Sequence, residues 1–483
     1  MSMTMIKHKY PKLGLMIIGL FFIITSCKKI IDRDIIQSPT EANAFKTPAD
    51  INHGVAGAYA ILRTFLPDQV FLFGDIQGEN FNKAKNGGSR LETDLQRRSG
   101  VGDLYQAGAG NWNGYYKTIA QCNLLLETIP KISGYQVNEK ERYIGEAKFI
   151  RALCYFYLAR LYGDVPLSTK AVEITNIPRA PQEEVFKLIN EDLDVAIASL
   201  QNNYTEKSTR ATKGAAAAIK AHVMGWLRKY DECEKLCNTV ITGGTYSLVQ
   251  DSAALISIFI GKSQEGIFEL DFDSRNNELQ RNKVYGRTLG RPWYKDQSDG
   301  GGGTDDYVLG FTPANRALLF PTGVRDTRRD VWFIKDTWTK EILFFGKYRT
   351  LKAQGDTASQ NINESNIVIT RLADVILLRA EALEALGRPG EAITELNKIR
   401  NRAKRPVYTS GGVLADTILI ERRKELIGEG HYFFDLVRTR KMAKYHSKIK
   451  QADWYEAGAW LLPLTAANIA ASNFVLTQNS FWR

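Results

Sequence analysis

The sequence feature that most constrains the fold is a pair of amphipathic helical segments joined by a tight turn. In RLADVILLRAEALEALG, which starts at Arg371, apolar residues recur at spacings of three and four, as one buried face of a helix requires. Gly387-Arg388-Pro389-Gly390 then supplies turn residues, and EAITELNKIRNRA continues with the same helical spacing. The segment therefore predicts an antiparallel helical hairpin.

Two further stretches show the same pattern. ERYIGEAKFIRALCYFYLARLY (141–162) carries an apolar stripe, and Gly163-Asp164-Val165-Pro166 then ends the helix. TKGAAAAIKAHVMGWLRK begins at Thr212, and its alanines allow a neighbouring helix to approach closely. Tyr230-Asp231 predicts a turn, after which DECEKLCNTVI returns and ends at Gly243-Gly244. Hairpins with small residues at the crossing are typical of tetratricopeptide-like packing.

We therefore predict a mainly all-α fold, a scaffold of tetratricopeptide-like hairpins with long loop insertions and a few short strands. The hairpins do not follow one another at a 34-residue period, so a regular solenoid is not expected. Periodicity alone leaves open an α domain of unrelated helices. The predicted helical scaffold comprises residues 41–65, 111–242 and 366–440 of a single domain, 27–483.

Two tracts between the helices, 66–110 and 243–365, are predicted as loops. Both are rich in Gly, Asn and Asp, and the second contains a strand-like segment, Gly266 to Phe272, and a run of four glycines, Gly300 to Gly303. Long loops on a rigid scaffold are where binding residues usually lie. We expect any ligand site in these tracts.

The N-terminus has the pattern of a lipoprotein signal peptide over residues 1–26. Three lysines, at positions 7, 9 and 12, precede an apolar run of about a dozen residues, which is too short to span a bilayer comfortably. Small residues in Ile24-Thr25-Ser26 lead to Cys27, the predicted lipid-attachment site. The alternative is an ordinary cleaved signal or a short anchor, with a cysteine there by chance.

Composition narrows the classes of partner. Removal of residues 1–26 takes away three lysines and no acid, so the net charge falls from +11 to +8. A basic balance often indicates nucleic acid, but export makes that partner unexpected and favours an acidic ligand or a lipopolysaccharide-rich surface. The four other cysteines lie in helical, apolar stretches and are expected to be buried: Cys122, Cys154, Cys233 and Cys237.

Neither a metal site nor a cofactor is predicted. The five histidines are scattered, none is part of an H-E-x-x-H motif, and the cysteines form no C-x-x-C pair.

Several segments resemble the SusD/RagB family. NWNGYYKTIAQCNLLLETI (111–129) is similar to the family's W-x-x-x-Y-x-x-I-x-x-x-N helix, and GEAKFIRALCYFYLARLYGDVPL, RLADVILLRAEALEALG and IERRKELIGEGHYFFDLVR match further signatures in family order. The chain end, WLLPLTAANIAASNFVLTQNSFW, is similar to the family ending, although Ser480-Phe481-Trp482 replaces the usual Pro-Gly-aromatic.

The resemblance implies a non-catalytic lipoprotein of the outer membrane that faces outward. Such a protein would cover a SusC-like TonB-dependent transporter and capture polymeric nutrient, usually glycan, for import. A lipid-anchored helical-repeat scaffold that binds other proteins is the main alternative function, and a surface glycosidase is a third.

Sugar binding needs aromatic planes that stack on the C–H faces of the rings, with polar groups to orient the hydroxyls. Residues 275–295 hold six Arg or Lys against one acid, and Arg pairs well with carboxylate or sulfate. The predicted ligand face therefore has some preference for acidic glycans. Its candidate residues are Phe81, Arg291, Trp293, Tyr294, Tyr307 and Trp332. The alternative is that Trp332 and Tyr307 belong to the core and that the basic run is solvated or faces the transporter.

Charged residues of the C-terminal signatures resemble an acid/base cluster, but we interpret them as structural. They are expected to cap and bridge helices: Arg371, Asp374, Glu421, Arg422, Glu425, Glu429, Asp435 and Arg438. A glycosidase would use carboxylate pairs such as Asp271 with Asp273 or Asp305 with Asp306, at a separation that sequence does not reveal. We expect these acids to be solvated loop residues.

Overall fold

The structure is a computed structural model. It describes residues 45–83, 111–171, 177–204, 208–272, 284, 309–311, 313–335, 343–349, 351–353, 361–363, 365–473 and 475–483. From Thr47 to Arg483 the chain forms one compact unit.

The described residues are mostly helical. The longer helices are α1 (Pro48–Phe71), α2 (Asn113–Thr128), α3 (Glu139–Tyr162), α4 (Gln182–Ser199), α5 (Lys213–Trp226) and α6 (Tyr230–Thr242). After a four-residue helix, α7 (Ser257–Ile260), come α8 (Pro313–Leu319), α9 (Thr327–Trp332), α10 (Leu372–Ala385), α11 (Pro389–Arg402), α12 (Leu414–Leu426) and α13 (Tyr432–Arg438). Three short helices follow, α14 (Met442–Tyr445), α15 (Ala452–Glu456) and α16 (Ala466–Ala471).

The strands are short and pair two by two, always antiparallel. They are β1 (Asn82–Lys83) with β5 (Leu309–Gly310), β2 (Val165–Pro166) with β3 (Arg179–Ala180), β4 (Gly266–Leu270) with β10 (Ile367–Arg371), β6 (Phe333–Lys335) with β7 (Leu343–Phe345), and β8 (Leu351–Ala353) with β9 (Asn361–Asn363).

The longer helices pack as successive hairpins, so the predicted tetratricopeptide-like scaffold is confirmed. α1 packs on α2, α3 on α4, α5 on α6, and α10 on α11. Each hairpin also contacts the next, through α2 with α3, α4 with α5, and α6 with α10. The contact between α6 and α10 joins hairpins that are more than a hundred residues apart in sequence. Each hairpin in such a stack buries its apolar face against its neighbour.

The ends of these helices follow local rules. Thr47 and Asp50 form a capping box at the start of α1, where Pro48 occupies the first position. Gly163 ends α3, and Gly387 lies in the turn after α10. Both have a positive φ, 76° and 73°, which glycine adopts without strain. The predicted turn at Tyr230-Asp231 lies earlier, because α6 already begins at Tyr230 and Arg228 takes the left-handed conformation.

The long insertion between α6 and α10 begins and ends at one strand pair. β4 confirms the predicted strand, and its five residues are buried. Ile367 of β10 pairs with Leu270, and Arg371 pairs with Gly266. The two ends of the insertion are therefore hydrogen-bonded to each other beside α10. α6 and α10 can then pack as neighbours although the insertion separates them in sequence.

The first predicted loop tract starts later than expected. α1 continues to Phe71, and a π-helical turn, Leu72–Ile76, follows with every residue buried. The Gly, Asn and Asp content of 66–110 obscured the apolar run VFLF, which packs inside the protein. The second tract also contains the short helices α7, α8 and α9.

The four cysteines of the helices are buried, as predicted, and none forms a disulfide. The altered chain end is also held in place: Trp482 is buried, and its indole N–H donates to the backbone oxygen of Leu461 at 2.8 Å. Among the described residues, no helix combines the length and the hydrophobicity that crossing a membrane would need.

We predict that Gly74→Ala strongly destabilises the fold. A Cβ at Gly74 would lie 2.1 Å from the backbone oxygen of Gly430, and backbone atoms cannot rotate away. We expect a loss of about 2–3 kcal/mol in the free energy of unfolding, in the range of overpacked cores. Chemical denaturation measures it.

Gly57→Ala is the matched control. It lies inside α1, and a Cβ added at this position would meet no atom within 4 Å. Because alanine favours a helix over glycine, this variant should gain roughly 0.5–1 kcal/mol. Equal effects of the two substitutions would contradict the close packing of the π-helical turn.

Candidate functional site

The two predicted ligand tracts join the described body at adjacent points. In the β1–β5 pair, Lys83 lies opposite Leu309, so the chain enters residues 84–110 and returns from residue 308 at one place. The β6–β7 pair, in which Phe333 lies opposite Phe345, likewise joins the ends of 336–342, and β7 contacts β5. Loop segments that are far apart in sequence therefore begin and end on the same part of the described body, their base.

A cluster of buried aromatic rings forms this base, and we call it the loop-base cluster. Phe81 packs against Phe345 at 5.0 Å between ring centroids, Phe311 against Phe333 at 4.7 Å, and Phe333 against Phe345 at 5.9 Å. The members are Phe71, Phe81, Phe311, Phe320, Phe333, Phe345 and Tyr348, all buried. Such edge-to-face and tilted contacts hold the rings in defined positions.

Two of the predicted ligand residues are core residues. Phe81 is fully buried between Phe71 and Phe345, and Trp332 is fully buried with the ammonium of Lys347 3.8 Å from its ring centroid. Neither ring has a free face for a sugar, so both are withdrawn from the ligand face. For Trp332 the core alternative was the correct one.

The other predicted site residues lie outside the described residues. These are Cys27, Arg291, Trp293, Tyr294 and Tyr307.

Hydrogen bonds from polar side chains hold the segment between α1 and β1 against α12 and the loop that follows it. Arg423 of α12 donates to Asn80 Oδ1 at 2.8 Å and to Asn315 Oδ1 at 3.0 Å. Asp75 accepts from the backbone N–H groups of Gly428 and Gly430 at 2.8 and 2.6 Å. Burial raises the pKa of Asp75 to about 6, in opposition to these hydrogen bonds.

A buried network of charges, the Arg371 network, lies beside the loop-base cluster. Arg371 contacts Glu265 at 2.6 Å, Glu425 at 2.8 Å and Glu429 at 2.7 Å, and Lys347 contacts Glu429 at 2.6 Å. These five side chains are almost completely buried. Buried charges persist where they are paired and hydrogen-bonded, as all five are.

Electrostatics fix the charge states within the network. Burial opposes ionisation of Glu429, but Arg371 and Lys347 outweigh it and hold the pKa of Glu429 below its usual range. Burial lowers the pKa of Lys347 to about 8, although Glu429 opposes this shift. Arg402 and Arg328 add two more guanidinium contacts to Glu425.

Signature residues farther along the chain form a second network, the Arg422 network. Arg422 contacts Asp374 at 2.9 Å and Asp435 at 3.0 Å, and Arg438 contacts Asp435 at 2.5 Å and also Glu381. α10, α12 and α13 are joined in this way. The bridging role expected for these residues is confirmed.

The acids of the C-terminal signatures are held in ion pairs. Glu421, Glu425, Glu429 and Asp435 are engaged by arginine or lysine, so none is a free proton donor or nucleophile in these contacts. Asp271 pairs with Lys262 at 2.8 Å, whereas Asp273, Asp305 and Asp306 lie outside the described residues.

A cleft of about 410 Å³ opens beside α7 and the loop that leads into β4. Its lining contains no aromatic and no charged side chain: Val249, Ser257, Ile260, Gly261, Ser263 and Gln264. It therefore lacks the stacking planes that a sugar site needs.

Comparisons with known proteins agree with this architecture. A family model described as "SusD family" matches residues 334–482, and one described as "Starch-binding associating with outer membrane" matches 37–224. SusD-like protein P38 of Formosa agariphila is 28% identical over 90% of this chain and 92% of its own length.

The chain belongs to the SusD/RagB family. A SusD homolog from Bacteroides thetaiotaomicron superposes with a TM-score of 0.77 at 26% identity, covering 91% of this chain and 99% of that one. A protein described as a laminarin-binding SusD-like protein shares the fold, with a TM-score of 0.71 at 22% identity over 90% of this chain and 99% of its own.

Sequence reasoning missed several residues of the Arg371 network and its surroundings. Glu265, Arg328, Lys347 and Arg402 were not singled out, although each is buried in or beside the Arg371 network. One signal was present: Lys347 interrupts the aromatic run FFGKYR, where a charge is unexpected unless it is paired.

We predict that Glu425→Gln destabilises the protein by about 3–5 kcal/mol, because it leaves Arg371, Arg402 and Arg328 facing a neutral amide in the interior. Urea denaturation measures the loss. Glu391→Gln is the control, since Glu391 pairs with Arg388 at the surface, and its midpoint should not move. A Glu425 variant as stable as wild type would show that removing this carboxylate leaves no uncompensated charge in the interior.

Proposed function

We propose that this chain is an outer-membrane lipoprotein that binds polymeric nutrient, of the glycan class, and delivers it to a SusC-like TonB-dependent transporter. The family membership supports this role, because one matching family model describes starch binding in association with the outer membrane. A structural neighbour described as laminarin-binding adds a second glycan to the class of ligands.

The observation that carries the proposal is the common base of the loop tracts. Residues 84–110 and the segment ending at 308 both meet the body at the β1–β5 pair, above a buried aromatic cluster. Loop residues that start from this shared base can then face one polymer. A fixed base also lowers the ordering cost of binding.

The proposed ligand face consists of Trp293, Tyr294, Tyr307 and Arg291. The aromatic planes would stack on sugar rings, and the guanidinium would orient hydroxyls or pair with acidic groups of the polymer. Phe81 and Trp332 are core residues and are not part of this face. The basic run 275–295 supports a preference for acidic glycans.

The described acids also support binding without catalysis, since arginine and lysine engage those of both networks. A nutrient-capturing protein needs affinity and release, and hydrolysis can belong to another protein. Purified protein should therefore release no reducing ends from a bound glycan.

We predict that the triple variant Arg291→Ala/Trp293→Ala/Tyr294→Ala binds glycan at least about tenfold more weakly, a loss of ~1.4 kcal/mol. The ligand is first identified by screening the full chain in mild detergent against starch, laminarin and a uronic-acid polymer. Calorimetry with the best binder then compares the variants.

A matched control removes an aromatic ring and a guanidinium elsewhere on the surface. Trp454 is 37% exposed and Arg440 is also exposed, and both lie outside the loop tracts. Arg440→Ala/Trp454→Ala should leave affinity unchanged. Intact affinity in the triple variant, or a loss confined to the control, would refute the assignment of the ligand face.

We predict that Cys27→Ser releases the protein from the cell envelope, because a hydroxyl cannot accept the thioether-linked lipid and the remaining signal pattern gives no stable anchor. Fractionation and labelling with metabolically supplied palmitate measure attachment and acylation. Wild type should be labelled and sediment with membranes. Unchanged attachment of an unlabelled Cys27→Ser variant would contradict lipid anchoring.

A helical scaffold for other proteins is the second candidate function, because stacked tetratricopeptide-like hairpins commonly present binding surfaces. Co-purification of the full chain in mild detergent separates the two. A large β-barrel partner supports nutrient uptake, whereas a soluble partner in the absence of any glycan affinity supports the scaffold.

A further inference from the structure

Two histidines and an aspartate from three separate segments meet at the edge of the Arg422 network. His222 lies on α5, Asp374 on the first turn of α10, and His431 directly precedes α13. His222 Nε2 is 2.7 Å from Asp374 Oδ2, and His431 Nδ1 is 4.0 Å from Asp374 Oδ1. One nitrogen or oxygen ligand atom from each residue lies within 4.8 Å of the others.

We propose that His222, Asp374 and His431 bind a divalent transition-metal ion of the zinc class, which ties α5, α10 and the start of α13 together. Two imidazoles and a carboxylate are a ligand set that zinc accepts, with water in the remaining position. Magnesium and calcium prefer oxygen ligands and do not suit this set.

The geometry needs only a small closure. Zinc–nitrogen bonds of about 2.0–2.1 Å in a tetrahedral site place neighbouring ligands roughly 3.3 Å apart. His431 is the residue that must move, and its Nε2 is buried without a hydrogen-bond partner. Nδ1 is the nitrogen that faces Asp374, so binding through Nε2 requires a flip of the ring. The flip breaks no hydrogen bond at Nε2, and the metal would then satisfy a nitrogen that otherwise has no partner.

The surrounding charges also favour a cation. Within ion-pair distance, the guanidiniums of Arg422 and Arg438 face three carboxylates, those of Asp374, Asp435 and Glu381. Carboxylates therefore outnumber guanidiniums by three to two in these contacts, which favours a further cation at this edge. Arg160, the next cation, is held over the rings of Phe156, Tyr157 and Phe434 and forms no ion pair among the described residues.

The two histidine side chains are reachable from solvent. The side chains of His222 and His431 retain 11% and 13% of their accessible surface, whereas that of Asp374 retains none. The carboxylate is already oriented from behind by Arg422 and by the hydroxyl of Thr370, which donates to Oδ2 at 3.0 Å. Such outer partners commonly fix the ligands of a metal site.

Sequence inspection found no metal motif because the three ligands come from distant segments; His222 and Asp374 alone are 152 positions apart. The chain offers another set of ligand atoms that zinc could bind. Cys233 and Cys237 are buried thiols on one face of α6. Thiolates bind zinc well, so the experiment must separate sulfur from nitrogen ligands.

The test titrates Zn²⁺ into the chelator-treated full chain in mild detergent, with Mg²⁺ in parallel. We expect one Zn²⁺ per chain by calorimetry, a higher thermal midpoint with Zn²⁺, and neither effect with Mg²⁺. His222→Gln and His431→Gln should each weaken Zn²⁺ binding at least tenfold and abolish the rise in the thermal midpoint. His53→Gln, an exposed histidine on α1, should leave both unchanged.

X-ray absorption of the zinc-loaded wild type provides a readout that does not depend on folding of the variants. A shell of nitrogen and oxygen ligands with imidazole scattering is expected. A sulfur shell, loss of binding in Cys233→Ser/Cys237→Ser alone, absence of stoichiometric binding, or unchanged affinity in both histidine variants would each overturn the proposal. Glycan affinity is measured separately, so failure here leaves the proposed nutrient binding untouched.

Discussion

The guanidinium of Arg371 joins three parts of the chain that sequence keeps far apart. It stands at the end of β10, where the long insertion returns to the hairpin stack, and it reaches Glu265 at the insertion's start and Glu425 and Glu429 near the C-terminus. Five hydrogen bonds to these groups satisfy the side chain without water. Removal of any one carboxylate leaves part of the guanidinium charge uncompensated in the interior, so the stability of each partner depends on the others.

Lys347 extends this dependence to the base of the loop tracts. Its ammonium is shared between Glu429 and the ring of Trp332, so the packing of an aromatic core residue is coupled to a buried ion pair. Net stability is not the main contribution of such pairs, since well-packed apolar residues often match them. Their directional contacts instead select one arrangement of the insertion against α12. We infer that positional precision at the loop base is what the network provides.

The helical scaffold was predictable because its signals are local. Apolar spacing, the capping box at Thr47 and the glycines at 163 and 387 act within a few residues, and all appear in the structure. Burial of Phe81 and Trp332 was not predictable in the same way, because it depends on Phe345 and Lys347, partners that periodicity does not connect to them. An aromatic residue in a polar stretch is compatible with a ligand face and with a core. The distinction is made by tertiary contacts alone.

The loop base holds the chain together, and its side chains are occupied with one another. Charges at the base are paired with one another, and its aromatic rings are buried against one another, so little recognition chemistry remains there. Substitutions in the base are therefore expected to act on the free energy of unfolding. The loop tracts 84–110 and 273–308 adjoin a two-residue strand pair, and they can change in length or charge without disturbing the network behind it. Under the proposed function, the choice among polymers would lie with loop residues such as Arg291 and Trp293 rather than with the fold.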